Sequence, residues 1–263
     1  MLPRARWPWE RRRRIRGVFT DIDDTLTHDG SITPQALFAL HRLRQAGWPV
    51  IAITGRPVGW SVPFARAWPV QAIVAENGAV ALLPRADGGL DRLYLQPADE
   101  RARNRRRMQA VAARVLREVP GAQLARDSAG RETDIAIDHS EFHHLPESAI
   151  AQVVAVMRAE GMHATVSSIH INGWYGSHDK LSGAHWILRS LHGRDLAGEI
   201  DDWVYVGDST NDQRMFAAFA NSIGVANVRR FLPHLTHRPR YVTPSGRGTG
   251  FAEVARSLVQ ARA

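Results

Sequence analysis

Apolar and polar positions change period several times along this chain. Val18, Phe19 and Ile22 form a short apolar run, the pattern of a buried strand that turns at Asp24-Thr25. Thr33-Pro34 then opens a helix with proline at its first position. Ala36, Leu37, Leu40 and Leu43 follow helical spacing, and Gly47 ends it. "WPVIAIT" at 48–54 reads as a second buried strand, and "VQAIVAENGAVAL" at 70–82 as a third that enters an Asn77-Gly78 hairpin turn. Strands alternating with helices predict a parallel α/β sheet.

The pattern changes near Pro84. A loop "PRADGG" precedes an Arg-rich helix at 98–118, an alternating strand "TDIAIDH" at 133–139, and a helix at 146–160. "HATVSSIHINGWY" at 163–175 reads as one or two antiparallel strands. The α/β pattern then resumes with a helix at 180–192, the strand "DWVYVGD" at 202–208, a helix at 211–219 and a last helix at 250–261. The expected division is a basic, poorly ordered tail at 1–16, an α/β core at 17–83 and 176–263, and an inserted α+β unit at 84–175.

Bulk properties narrow this further. With 263 residues, 44% hydrophobic and 23% charged, the chain can bury a large core plus a smaller second one. It has no cysteine, which excludes disulfides and thiolate metal sites. No apolar run approaches the ~20 residues of a membrane span. The basic N-terminus lacks an apolar signal core, so a cytoplasmic protein is the expectation. Net charge is +8, and Lys180 is the sole lysine among 34 basic residues. The arginine runs at 11–14 and 101–107 lack interleaved aromatics, which favours a solvated tail and helix face over a nucleic-acid surface.

Four signals fall at predicted strand ends, where open α/β sheets build their sites. Asp21 and Asp23 point the same way from a strand, and like charges held that close call for a shared cation or proton. Thr54-Gly55-Arg56 offers a hydroxyl and backbone N–H groups to an anion. Lys180 is a compact ammonium in a chain that otherwise uses guanidinium, and the two are not interchangeable. In "VYVGDSTND", Asp208 follows Gly207 at a strand end, while Asn211 and Asp212 open a helix. Each signal alone also fits an ordinary turn or cap.

Together, and in this order, they resemble the haloacid dehalogenase superfamily of phosphohydrolases. "DIDDT" resembles its first motif, "ITGR" its second, Lys180 its third and "GDSTND" its fourth. The insertion before the lysine and the sequence "AENGA" at 75–79 resemble the Cof-like branch with a type-two cap. That branch holds phosphatases of mannosyl-3-phosphoglycerate, sucrose phosphate and trehalose phosphate, and phosphomannomutases. Asp24 departs from the glycine common there, although some sugar-phosphate phosphatases resemble it at this position.

The resemblance implies a Rossmann-like core with an inserted cap, and a Mg²⁺-dependent phosphatase acting on a small phosphorylated metabolite, a sugar or glycosyl phosphate. It implies Asp21 as nucleophile through an aspartyl-phosphate, and Asp23 as acid and base. Asp21, the Asp23 carbonyl and Asp208 would hold the metal; Thr54, Gly55 and Lys180 would hold the phosphoryl group. Asp212 would orient Lys180 or the metal's waters, and Asn211 either caps its helix or touches phosphate. In the cap, Arg131, Glu132, Asp134, His170, Asn172 and Trp174 are candidates for substrate choice, against the simpler reading that they line a sheet. Arg56 either approaches the substrate or sits exposed after its turn. The rival functions are a phosphosugar mutase of the phosphomannomutase type and a nucleic-acid-binding module using the arginine runs.

Overall fold

The computed structural model describes residues 1–262. Nine strands form one sheet in the order Leu2–Pro3, Tyr241–Val242, Ser222–Gly224, Trp203–Gly207, Gly17–Thr20, Val50–Ile53, Ala72–Ala75, Val80–Pro84, Leu90–Tyr94. All neighbours are parallel as far as Ala72–Ala75, and the last two pairings are antiparallel. The central strands are buried along their whole length, as in any parallel sheet covered on both faces. Alternation divides their side chains. Val18, Val50, Val204 and Val206 pack with Leu40, Leu43 and Phe251 of the helices Pro34–Gln45 and Arg247–Arg262. Phe19, Ile51, Trp203 and Tyr205 pack with Ile187, Leu188 and Met215 of the helices Lys180–His192 and Gln213–Ala218. The α/β class expected from the sequence is the class observed.

A second, antiparallel sheet runs His163–Val166, His170–Trp174, Ile135–Asp138, Gln123–Leu124. The helices Ala98–Glu118 and Glu147–Ala159 cover one face, where Met108, Val115, Val153, Met157, Ile137 and Ile171 make a separate core. The opposite face carries Asp138, His170 and Asn172, all buried, because it lies against the carboxyl ends of the main sheet. No helix of the described residues is long and apolar enough to cross a membrane.

Two parts of the chain differ from the sequence expectation. The strand Leu90–Tyr94 pairs with Val80–Pro84 and extends the main sheet, so the inserted unit begins after it and not at 84. Its apolar residues Leu90, Leu93 and Tyr94 are only half-buried at the sheet edge, which weakens their sequence signal. Residues 1–16 are not a disordered tail. Leu2–Pro3 pairs with Tyr241–Val242, and Trp7 is buried with its Nε1 donating to Asn221 Oδ1 at 3.0 Å. Ile15 is also buried, while the short helix Trp9–Arg14 between these two anchors buries none of its residues. Two apolar anchors hold the segment, and its charge density hid them.

The helix that carries Lys180 is seated by close backbone approach. A Cβ on Gly183 would lie 2.6 Å from Gly78 Cα, so these two glycines allow the helix start to touch the turn at Glu76–Gly78. Asp179 caps that helix and forms a capping box with Ser182.

Candidate active site

Asp21 is the first residue beyond Gly17–Thr20, and its N–H donates to Val206 O at 2.8 Å, which stitches it to the next strand. The chain then turns on the Ile22 carbonyl, which accepts from the N–H groups of Thr25, Leu26 and Thr27. Asp24, inside this turn, has φ 54°, a left-handed conformation that glycine adopts without strain. Thr54 ends the neighbouring strand; its Oγ1 accepts from the Arg56 N–H at 3.0 Å and lies 3.5 Å from Asp23 Oδ2. A Cβ on Gly55 would crowd Asn172 Oδ1 at 3.2 Å, so the turn lies tight against the cap.

Lys180 Nζ lies 2.5 Å from Asp21 Oδ1 and 2.7 Å from Asp212 Oδ1, with its side chain almost wholly buried. Asp212 Oδ1 also accepts from the Tyr205 hydroxyl at 2.5 Å, and Oδ2 accepts from the N–H groups of Asp208 and Ser209. Asp212 therefore has no oxygen in reserve; it orients Lys180 and the loop after Gly207. Asn211 accepts from Ser209 Oγ at 3.0 Å and lines the cavity with it.

Asp21, Asp208 and Asp212 offer oxygens within 4.8 Å of one another. Asp208 Oδ1 is buried with no hydrogen-bond partner. Burial pushes the Asp21 carboxyl up to about 8, against the pull of Lys180 and with the repulsion of Asp212 and Asp23. Burial and the charges of Asp21 and Asp212 push Asp208 up as well. For Lys180, burial alone would lower the pKa, but Asp21 and Asp212 raise it above its ordinary value. Three buried carboxylates thus face one ammonium. An orphaned carboxylate oxygen in an all-oxygen, charge-deficient cluster fits a hard divalent cation held by Asp21 and Asp208. The Asp23 carboxylate stands outside this cluster.

It is held instead by Arg56. Arg56 Nε lies 2.9 Å from Asp23 Oδ1, its NH1 3.2 Å from Asp127 and its NH2 2.6 Å from Glu141. Arg56 is 3% exposed and stacks over Trp60, so it is neither a surface arginine nor free. Burial would lower its pKa, but Asp23 and Glu141 raise it. Glu141 also meets His170 Nε2 at 2.8 Å. Burial would raise the Glu141 carboxyl, yet the hydrogen bonds from His170 and Arg56 hold it down at about 2. Arg131 pairs with Asp127 and Asp134 and donates to Gly55 O at 3.0 Å. Burial lifts Asp134 to about 7 against the pull of Arg131.

Of the cap candidates from sequence, His170 and Asn172 line the cavity with Asp21, Asp23, Gly55 and Arg56. Asn172 donates to Asp134 and Gly55 O, so Asp134 supports the wall from behind. Trp174 packs in the cap core. The Glu132 side chain lies elsewhere, paired with Arg92 and the Tyr94 hydroxyl. The cavity between core and cap has room for about 10 Å³, and Ser167–Ile169 line its cap side. Sequence reasoning did not single out Glu76, Asp127, Tyr205 or Asn227. Glu76, in the noted "AENGA" segment, had a signal: a carboxylate inside an apolar run, now fully buried and bonded to the Val58, Glu132 and Thr133 N–H groups.

Comparison with known proteins adds an independent line. A family model described as haloacid dehalogenase-like hydrolase matches residues 18–99. The chain is 28% identical over 259 residues to a phosphoglycolate phosphatase of Methanothermobacter thermautotrophicus, covering 93% of this chain and 99% of that one. In fold it is similar to a protein of Thermoplasma acidophilum (TM-score 0.69, 17% identical, 93% and 98% of the two chains). It is also similar in fold to the sucrose-phosphatase of Synechocystis, solved with sucrose and phosphate (TM-score 0.67, 18% identical, 94% and 98%).

Proposed function

We propose that the chain is a haloacid dehalogenase-like hydrolase, a Mg²⁺-dependent phosphomonoesterase working through an aspartyl-phosphate on Asp21. One observation carries this reading: Asp21, Asp208 and Lys180 converge at the carboxyl ends of adjacent strands, with Asp208 Oδ1 buried and unpartnered. Asp21 and Asp208, with the Asp23 backbone carbonyl, are the residues that would hold the cation. When bound, Mg²⁺ offsets phosphoryl charge and favours the ionised form of Asp21.

A carboxylate oxygen of Asp21 attacks phosphorus, and the bond to the ester oxygen breaks. Asp23 gives a proton to the departing alkoxide, and later takes one from the water that releases phosphate from Asp21. Lys180, the Thr54 hydroxyl and the Gly55 N–H hold the phosphoryl oxygens, where transition-state charge develops. Asp212 fixes Lys180 in place for this task. The Arg56 contact with Asp23 anchors the proton-transfer group, and the same guanidinium ties the cap over it, which excludes water.

The leaving group sits between Asp23 and the cap wall of His170 and Asn172. With room for only about 10 Å³, far below the roughly 300 Å³ of an open small-molecule site, the closed cavity does not choose among leaving groups, and the cap must open to admit substrate. Similarity to the archaeal phosphoglycolate phosphatase supports a short leaving group of the size of glycolate. The polar wall of His170, Asn172 and Glu141 also suits hydroxyl groups, which keeps a small sugar phosphate as a second reading. Phosphate release measured across 2-phosphoglycolate, sugar phosphates and glycosyl phosphates, with Mg²⁺ and with chelator, tests the reading. Release that persists in chelator, or no release from any of them, would sink it.

A further inference from the structure

Asn227 lies in the turn after Ser222–Gly224 and was not among the motif residues. Its Nδ2 donates to Asp208 Oδ2 at 2.9 Å and to the Asp24 carbonyl at 3.0 Å, which uses both amide hydrogens. Its Oδ1 accepts from the Arg247 N–H at 2.9 Å. This pattern fixes which way the amide faces: turned over, it would set an oxygen against the Asp208 carboxylate. Gly246 makes room for it, since a Cβ there would lie 2.8 Å from Asn227 Oδ1.

The residues around the amide are themselves tied together. Arg247 Nε meets Asp24 Oδ1 at 2.9 Å, and both residues hold left-handed backbone, with φ 53° and 54°. Arg230 adds a longer contact to Asp24 at 3.6 Å. The first-motif loop, the loop after Gly224 and the start of the last helix therefore meet on one amide. The consequence falls on Asp208. One of its oxygens is occupied by Asn227 and the other is left buried and unpartnered, in a residue that offers a carboxylate oxygen within 4.8 Å of Asp21.

We propose that Asn227 is the positioning residue of the cation site, which holds Asp208 so that Oδ1 alone faces the space shared with Asp21. A partner that binds one oxygen of a metal carboxylate sets the direction of the other, and such partners control metal affinity about 10–100-fold. The proposal rests on the divalent-cation reading, and its test separates the two.

Mg²⁺ is titrated into the substrate-free protein and binding is followed by calorimetry, with the unfolding midpoint recorded without metal. Asn227→Ala raises the Mg²⁺ concentration for half-saturation about 10–100-fold. Asn227→Asp keeps the shape and the acceptor for Arg247 but loses the donor to Asp208, and weakens binding as well. A merely structural role would lower the metal-free midpoint and leave affinity unchanged. Wild-type affinity in either folded variant overturns the proposal while the cation reading stands. Absence of Mg²⁺ binding by the wild-type protein overturns both.

Discussion

Arg56 meets Asp23 at 2.9 Å beneath the closed cap, and the same guanidinium reaches Glu141 at 2.6 Å on the cap side. The proposed proton-transfer group and the lid above it are thus joined through one buried cation. Arg56→Ala leaves Asp23, Asp127 and Glu141 without their shared cation. Losing one partner of a buried pair costs about 3–5 kcal/mol. We expect kcat/KM to fall by at least about 100-fold, roughly 2.7 kcal/mol of barrier. Hydrogen exchange should rise in cap residues 127–141. Arg56→Lys should not restore either quantity, because an ammonium lacks the fork that reaches three carboxylates. Unchanged exchange in the alanine variant would show that Arg56 does not hold the cap.

Glu76 is the second tie between core and cap. Its carboxylate accepts from the N–H groups of Val58, Glu132 and Thr133 and from the Thr133 hydroxyl at 2.6 Å. Glu76→Gln keeps the shape but turns an NH₂ toward donors. A loss of about 3 kcal/mol is expected, from buried donors left without a charged acceptor. For a chain of this size that lowers the unfolding midpoint by roughly 6–12 °C. A midpoint within a degree of wild type would contradict the assignment.

His178 gives a pH signature on the chain segment that returns from cap to core. Its ring is buried against Trp174 with Nε2 unpartnered, and burial holds its pKa down at about 4 from the ordinary 6.5. The unfolded chain takes up the proton near 6.5 and the folded chain only near 4. This contribution is therefore intact above pH 6.5 and is lost as pH falls from there toward 4. The gap bounds the loss at roughly 3 kcal/mol. Denaturant midpoints between pH 7.5 and 4 should fall more steeply for wild type than for His178→Phe. Parallel curves would count against it.

Lys180→Arg tests the sole lysine. Nζ fits between Asp21 and Asp212 at 2.5 and 2.7 Å on a buried side chain. The larger planar group should cost at least about tenfold in kcat, or 1.4 kcal/mol. An unchanged rate would mean that the lysine is incidental.

The strands and helices of the core were legible because each carries a strong period and its stop signal, as in Pro34 to Gly47. Asp21, Thr54, Lys180 and Asp208 stood out because a polar residue at the end of an apolar strand, or a lone lysine among arginines, breaks a local pattern. Arg56 was noted only as part of its turn, and what Arg56, Glu141 and Asn227 each hold breaks no local pattern. Their partners lie 33, 85 and 19 residues away, and only the folded chain brings them together. Charge density misled at the N-terminus, where Trp7 and Ile15 fix a segment whose composition reads as a tail. Glu132 misled for the opposite reason: its backbone N–H bonds to Glu76 at the cap boundary, yet its side chain turns out to Arg92.

The proposed catalysis is covalent, by Asp21 with a divalent cation beside it. Its most direct test is Mg²⁺-dependent phosphate release by wild type and Asp21→Asn side by side, with circular dichroism confirming that the variant is folded. Wild type should release phosphate from a small phosphomonoester only with the metal present, and the variant should release none. Near-normal turnover by Asp21→Asn would contradict the account.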